Sequence, residues 1–360
     1  MSISSPETGP ARRKRSARFT EIAREAGVSV STVDRVLNER GSVSGGTRQR
    51  VVDAARKLGV PRVLPATRHG LVHIDIMLSD HQTPFVRRLE QAVQRAVALL
   101  PSHIVVHKIL LPLGDESAYE QAILRPSYPR AGMIVLAPET PRVCNALRQA
   151  IDDGEVLATM VSDLPGLVPH HFAGIDNYQA GRTAGYWIGR LARKSGSVLI
   201  LHGMHMVRAH AERTRGCAEA LREFFPTLQV QVSAETLDDP DRAYRYVTAA
   251  LKKDPTGARA PLVGVYDTGY ASPGIHAAFH RAGVRGAVAW IGHEMLDQHR
   301  QYLVERALDM VIDQNPDGQV QSALQHVLHQ CGQLDAEPRP ELREFGLYSL
   351  PNVRMHDYLD

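Results

Sequence analysis

Residues 24 to 59 read "REAGVSVSTVDRVLNERGSVSGGTRQRVVDAARKLG", and this stretch decides what the front of the chain is. Leading into it, Phe19, Ile22, Ala23 and Ala26 fall on one side of a short helix. Gly27 stops that helix, because glycine takes the left-handed conformation past a helix end without strain. Ser29 caps a second helix, its side chain placed to accept from the backbone N–H groups near Ser31 and Thr32. Val33, Val36 and Leu37 face inward there, leaving Val30, Ser31, Asp34, Arg35 and Asn38 pointing out. Ser44 is expected to cap a third helix whose Val51, Ala55 and Leu58 close the core, with Gly59 as its stop.

Helix, glycine turn, helix and supporting helix is the helix-turn-helix plan, whose second helix enters the major groove of duplex DNA. A helix lies deep in a groove about 12 Å wide only if its leading side chains are short, as Val30 and Ser31 are. Arg35 carries the fork that pairs guanine O6 and N7, a contact worth about 1–3 kcal/mol of base discrimination. Thr32, Asn38, Thr47 and Arg48 suit phosphate contacts that set register.

The charge distribution points the same way. The net charge is +3, yet residues 1–70 hold 14 Lys and Arg against 6 Asp and Glu, while the remainder holds 28 against 33. A basic head on a mildly acidic body is the electrostatic pattern of a nucleic-acid-binding module joined to something else. At 360 residues the chain is long enough for two or three domains. Its 43% hydrophobic and 22% charged residues are those of a globular protein, without an apolar run long enough to cross a membrane. Residues 1–18 read as a disordered basic tail with no apolar segment after it, unlike a secretory signal. Cys144, Cys217 and Cys331 form no CxxC pair, so neither a structural zinc nor a disulfide framework is expected, and a cytoplasmic, nucleoid-associated protein fits.

From residue 71 the pattern changes to short apolar runs alternating with amphipathic helices. Strand candidates are "LVHIDIML", "HIVVHKIL", "GMIVLAP", "VLATMVS", "HFAGI", "SVLILHG", "VQVSAETL", "LVGVYD", "AVAWIG" and "LDMVID". Val86, Leu89, Val93, Val97 and Leu100 mark the first helix between them. Such alternation implies parallel sheets wrapped by helices, and the pattern restarts near residue 175. Two doubly wound lobes would put strand C-termini on both sides of a cleft, where ligands bind in such folds.

The segment "AREAGVSVSTVDRVLN", followed by "SVS..TR..V..AA..LG", resembles the DNA-binding head of the lactose-repressor (LacI/GalR) family of bacterial transcription regulators. The resemblance implies that Val30, Ser31 and Arg35 read bases and that Ser29, Thr32, Asn38, Ser44, Thr47 and Arg48 grip phosphate. Two positions depart from the family. Asp34 stands where serine is usual, and a carboxylate beside phosphates is unfavourable unless it is paired or accepts from a cytosine N4 amine. The hinge-helix stretch here reads "GVPRVLPATRHGLVHI"; Pro65 opposes a helix there, and the minor-groove wedge position holds Arg68, with Leu64 as a substitute.

The body resembles the periplasmic-binding-protein fold that forms the effector core of the same family. "GIDNYQAGRTAGYWIGRL" matches the first crossover into the second lobe, "ERTRGCAEAL" the helix whose first arginine reaches the sugar, and "IGHEM" and "VIDQNP" two later strand ends. This implies a head at 19–60, a linker or hinge at 61–70 and a core at 71–345. The first lobe would hold 71–174 and about 315–340, and the second about 175–314 with the C-terminal tail. It also implies Arg213 as the cleft arginine, Glu294 as the second-lobe carboxylate and Gln314 as the crossover amide. The same resemblance puts Thr83 and Phe85 at the cleft edge, Ser162 and Asp163 at a first-lobe strand end, and Tyr266 and Asp267 at a second-lobe strand end, with His293 beside Glu294.

Such a set suits a sugar or polyol: carboxylates accept from vicinal hydroxyls, arginine and glutamine donate, and Phe85 stacks on a ring face. One arginine among several carboxylates argues against a phosphorylated ligand. The histidines of "LHGMHMVRAHAE" and "PHHF" lack ligand spacing, so no metal is expected, and no phosphate loop or nucleophile–base pair suggests a cofactor or an enzyme. The resulting expectation is a homodimeric repressor on a palindromic operator, its affinity controlled by a sugar or polyol that closes the cleft. The alternative is a solute-binding protein of a sugar transport system.

Overall fold

In the computed structural model, residues 19–38, 45–58, 71–81, 83–252, 256, 260–334 and 344–353 are described. The chain divides into two units, Met1–Leu71 and Val72–Asp360. In the first, α1 (Phe19–Ala26), α2 (Val30–Leu37) and α3 (Gly45–Lys57) enclose one core of Ile22, Ala23, Ala26, Val33, Val36, Leu37 and the α3 residues Val51, Val52, Ala54 and Ala55. Gly27 turns the chain at φ +63° between α1 and α2. Ser29 caps α2, its Oγ accepting from Thr32 N–H at 3.2 Å. Leu58 is not a core residue: it lies beyond the end of α3, 38% exposed, and Val52 and Ala54 fill the place expected of it. Ser44, Gly59, the tail at 1–18 and the whole 61–70 linker with Leu64, Pro65 and Arg68 lie outside the described residues.

The second unit alternates strand and helix throughout. Its first sheet contains β1 (Val72–Ser79), β2 (Ile104–Leu111), β3 (Gly132–Val135), β4 (Val156–Met160) and β5 (His171–Ala173), all parallel in the order β2-β1-β3-β4-β5. Between them run α4 (Pro84–Val97), α5 (Glu116–Leu124) and α6 (Pro141–Asp152). The chain then enters α7 (Asn177–Leu191) and builds a second sheet from β6 (Ser197–Leu201), β7 (Gln229–Val232), β8 (Leu262–Asp267), β9 (Ala289–His293) and β10 (Met310–Asp313). The helices of this half are α8 (Arg208–Phe224), α9 (Pro240–Leu251), α10 (Ser272–Ala282) and α11 (Asp297–Val304).

The second sheet repeats the order of the first, β7-β6-β8-β9-β10, so each lobe reverses direction beside its first strand. Those reversals leave crevices at the carboxyl ends of the strands, the place where ligands enter doubly wound sheets. After β10 the chain returns to the first lobe as α12 (Pro316–Gln330), whose Val320, Ala323, Leu324, Val327 and Leu328 join the core of the first sheet. A short strand β11 (Gly346–Tyr348) then pairs antiparallel with β10 on the edge of the second sheet. β11 is absent from the strand candidates because three residues carry too little alternation to register.

Candidate functional site

On the head, α2 sets out three short side chains and one long one. Val30 is 43% exposed, and Ser31 and Arg35 are also exposed, while Thr32 is half-buried beneath them. The Ser29 hydroxyl lies 2.9 Å from that of Ser31 and 2.8 Å from that of Thr32, so the cap and its neighbours form one hydroxyl cluster at the leading end. Arg35 donates through Nε to the Ser31 carbonyl at 3.3 Å, which leaves the terminal fork facing outward. Two expected phosphate contacts sit differently. Asn38 is half-buried and donates through Nδ2 to Asp34 Oδ1 at 2.6 Å, so its amide is tied along the helix and Asp34 has a partner. Arg48 on α3 is 4% exposed, with Nη1 unpartnered among the described residues, so it is not presented on the surface of the head. Thr47 is half-buried and its hydroxyl accepts from Arg50 at 3.3 Å, and Ser44 is not among the described residues.

In the two-lobed unit, a cavity of about 50 Å³ lies where strand ends from both lobes meet. Of the expected effector residues, Thr83, Phe85, Arg213, His293, Glu294 and Gln314 line it. Thr83 caps α4, its hydroxyl accepting from Val86 N–H at 3.2 Å, which sets Phe85 in the first turn at the cavity edge. Arg213 comes from the second turn of α8, and its position depends on how closely α8 approaches α7. A Cβ on Gly181 would fall 2.1 Å from the Arg213 carbonyl oxygen, and one on Gly216 would fall 2.2 Å from that of Tyr178. Only glycine lets the two backbones meet at this distance. Arg213 then donates from Nε to Asn177 Oδ1 at 2.8 Å and from Nη1 to the Thr268 carbonyl at 2.9 Å.

Glu294 sits at φ +70° just past β9, its N–H held by Ile312 O at 2.9 Å. One carboxylate oxygen accepts from Gln314 Nε2 at 2.5 Å and the other from Arg88 Nη1 at 3.1 Å. Arg88, on α4 of the first lobe, also grips Asp313 through both terminal nitrogens, so one guanidinium ties the first lobe to two second-lobe carboxylates. Burial and the charge of Asp313 push Glu294 up to about 8, against the pull of Arg88. Arg213 is drawn down from its ordinary value by burial.

Four expected cleft residues do not line the cavity. Tyr266 is fully buried beneath it, its hydroxyl 2.6 Å from His293 Nε2. Asp267 is fully buried and braces the loop after β8, taking N–H bonds from Gly269 and Ala271 at 3.2 and 2.8 Å; burial raises it to about 7. Ser162 accepts from Ala209 N–H at 3.2 Å, a bond between the lobes. Asp163 turns away to Leu164 N–H and His170 at 2.8 and 2.9 Å. In each case a nearby backbone amide or ring nitrogen claims the group before the cavity does.

Residues the sequence reading missed complete the wall: His210, Asp238 and Tyr270, with Val161, Val207, Ala209 and Gly269 between them. His210 Nδ1 accepts from Met204 N–H at 2.9 Å, and burial keeps the ring neutral well below its ordinary value. Asp238 sits at φ +55° and accepts from Tyr270 N–H at 2.8 Å; burial raises it to about 6. His210 lies in the histidine run set aside as metal-free, three residues before Arg213 on the same helix, a spacing that would have found it. Tyr270 also lines a second recess of about 340 Å³, with Arg87, Gln91 and Gln298. Among the described residues no helix is long and apolar enough to cross a membrane.

Residues 19–60 match the family of bacterial regulatory proteins, lacI family, and residues 117–333 match the periplasmic binding protein domain. Among curated relatives, the chain is 23% identical to the HTH-type transcriptional regulator DegA of Bacillus subtilis over 56% of this chain and 60% of that one. It is 28% identical to the regulator GalS of Salmonella typhimurium over 56% and 58%, and 31% identical to the ribose operon repressor of Halalkalibacterium halodurans over 29% and 32%. The chain thus matches about three fifths or less of these relatives' length. In fold it is similar to a solute-binding protein of Burkholderia graminis in complex with D-arabinose, with TM-score 0.69 and 17% identity over 80% of this chain and 98% of that one. It is equally similar to the glucose-galactose binding protein GanP of Geobacillus stearothermophilus, with TM-score 0.69 and 16% identity over 80% and 100%.

Proposed function

The chain carries a lacI-family DNA-binding region at residues 19–60 and belongs through residues 117–333 to the periplasmic binding protein domain family, and on that premise we propose that it is a ligand-controlled repressor of transcription in the bacterial cytoplasm. Two copies would place α2 of each head in successive major grooves of a palindromic operator. Val30 and Ser31 would fit the groove floor, Arg35 would read guanine, and the Ser29–Thr32 hydroxyls with Thr47 would meet phosphates. The observation that carries this reading is the exposed face of α2: short groups at its leading end and a guanidinium fork one turn on, over a core already closed beneath them.

The effector would be a sugar-like molecule held in the inter-lobe cleft, as sugars are named for the structural neighbours. Ligand contacts from both lobes would shift the balance between their open and closed arrangements, with a coupling of about 1–3 kcal/mol to operator affinity. The cavity at its present width, about 50 Å³, holds a few waters, so entry of a whole sugar ring requires the lobes to part. A solute-binding role in transport would use the same two lobes but gives α2 nothing to touch.

Selection of bound duplexes from a random pool, at moderate salt and with the full chain, tests the reading. A recovered two-fold-symmetric sequence that loses affinity on addition of a sugar-like ligand is the expected result. Binding that shows no preference among duplexes overturns it.

A further inference from the structure

The buried polar atoms that the cleft leaves without partners are mostly donors. Arg213 is 2% exposed, and its two bonds go to neutral acceptors, the Asn177 amide oxygen and the Thr268 carbonyl. Its Nη2 has no partner among the described residues. A buried guanidinium with no carboxylate in hydrogen-bond contact is unfavourable until an anion meets it. His293, also 2% exposed, is the second donor. The enclosed Tyr266 hydroxyl is satisfied by donating to His293 Nε2, which puts the ring proton on Nδ1, and Nδ1 too is unpartnered among the described residues. His210, only partly buried, lines the same cavity; its Nδ1 accepts from Met204, so its proton is on Nε2. One acceptor stands beside them. Gln314 gives Nε2 to Glu294, and its Oε1 is left unpartnered among the described residues.

Of the carboxylates around the cavity, Glu294 and Asp267 are already occupied, and Asp238 gives Oδ1 to the Tyr270 amide, which leaves its Oδ2 for a hydroxyl of the ligand. Both Glu294 oxygens take bonds from Gln314 and Arg88, and Asp267 is spent on the backbone of its own loop. We propose that the effector carries a carboxylate, and that it is a polyhydroxy acid of the aldonate or uronate class. The carboxylate accepts from Arg213 Nη2 and His293 Nδ1, and a neighbouring hydroxyl donates to Gln314 Oε1. This rests on the reading of the cleft as the site of a sugar-like effector and names the chemical class within it. Size agrees: the inner cavity suits a carboxylate head, and the wider recess that Tyr270 also lines takes the hydroxylated remainder between Arg87, Gln91 and Gln298. The Tyr270 hydroxyl donates to Gln298 at 2.7 Å, which fixes the ring as a wall shared by both spaces. Burial also raises Glu294 and Asp267 to about 8 and about 7, which lessens the negative charge an incoming anion meets near neutral pH.

Calorimetric titration of the full chain at neutral pH tests this, with gluconate, galactonate, glucuronate and galacturonate set against glucose, galactose and glucose 6-phosphate. At least one acid is expected to bind at least about tenfold tighter than its neutral parent. His293→Phe, its fold checked by thermal melting, should narrow that gap by weakening the acid alone. A neutral sugar binding as tightly as its acid, or the phosphate binding tighter still, overturns the carboxylate and leaves the sugar-like cleft standing. Binding of none of these probes overturns both.

Discussion

The head and the cleft each rest on an arginine, and the two are held in opposite ways. Arg35 stands in water on α2, anchored by one bond from Nε to the backbone below it. Arg213 is enclosed, fixed through Nε and Nη1 by neutral acceptors, with Nη2 left over. An exposed guanidinium costs little to present and gives up its water when a base edge replaces it. A buried one carries its desolvation cost in the unliganded protein, and a ligand that pairs with it recovers that cost. The first arrangement favours surveying many DNA sites with modest energy per contact, and the second favours a steep response to one small molecule.

Breaking the buried arginine should give the largest effect. Arg213→Ala removes a donor to a desolvated ligand, with hydrogen bonds to charged groups worth about 1.5–3 kcal/mol each. Effector affinity should fall by about a hundredfold or more, while operator affinity without effector is unchanged; calorimetry and operator binding read the two separately. A normal effector response in this variant would remove Arg213 from the site. Arg35→Ala should cost about 1–3 kcal/mol on the selected operator and much less on unrelated duplex. Equal losses on both would make Arg35 a phosphate contact and erase the contrast between the arginines.

Both arginines were legible because each belongs to a local pattern, Arg35 six residues past the cap serine and Arg213 three residues before a glycine in "ERTRGCAEAL". Ten strand candidates each hold a strand of the two sheets for the same reason, since period and turn signals are local. Asp238 and Tyr270 were not legible. They come from irregular loops after β7 and β8, and only the positive φ at Asp238 and its bond to the Tyr270 amide bring them to the cavity. Tyr266 and Asp267 show the converse. Their place at a strand end was readable, but which way each side chain turned was decided by His293 and by the amides of Gly269 and Ala271. Arg48 is expected among the phosphate contacts from its place in the family pattern, yet it is 4% exposed, a burial that the pattern does not show.

The seat of Arg213 can be disturbed without touching it. Gly181→Ala places a methyl group 2.1 Å from the Arg213 carbonyl oxygen, so α7 and α8 must separate. The expected loss of stability is about 1–3 kcal/mol, with effector affinity weakened in the same variant. Melting temperature and calorimetry check it, and an unchanged melting temperature would mean that the helix pair adapts freely.

The pH response sharpens the contrast further, because the buried groups around the cleft titrate near neutral pH. Glu294 and Asp267, raised by burial to about 8 and about 7, hold protons in the folded state that the unfolded chain has already released. Stability therefore falls as pH rises toward those values. The histidines act the other way: His299 is lowered to about 4 and His210 and His293 well below 6.5, so their effect fades over the pH unit above 6.5. Between pH 6.5 and 8 the carboxylates outweigh what remains of it, and denaturant midpoints should drop by the equivalent of roughly 1–2 kcal/mol. Glu294→Gln should flatten that slope, and a midpoint that rises across this window would reverse the assigned sign.

The smallest effect tests the odd residue of the reading helix. Asp34 puts a carboxylate on the DNA-facing side of α2 and ties up the Asn38 amide at 2.6 Å. Its charge opposes phosphate, and its bond withholds a donor that could meet one. Asp34→Ala should therefore tighten binding to every duplex by roughly two- to fivefold, more at low salt than at high, as read by anisotropy titrations on operator and unrelated DNA. If the variant instead weakens on the operator alone, with the loss confined to one C·G pair, Asp34 accepts from the cytosine amine, and its pairing with Asn38 is a resting state that gives way on the operator.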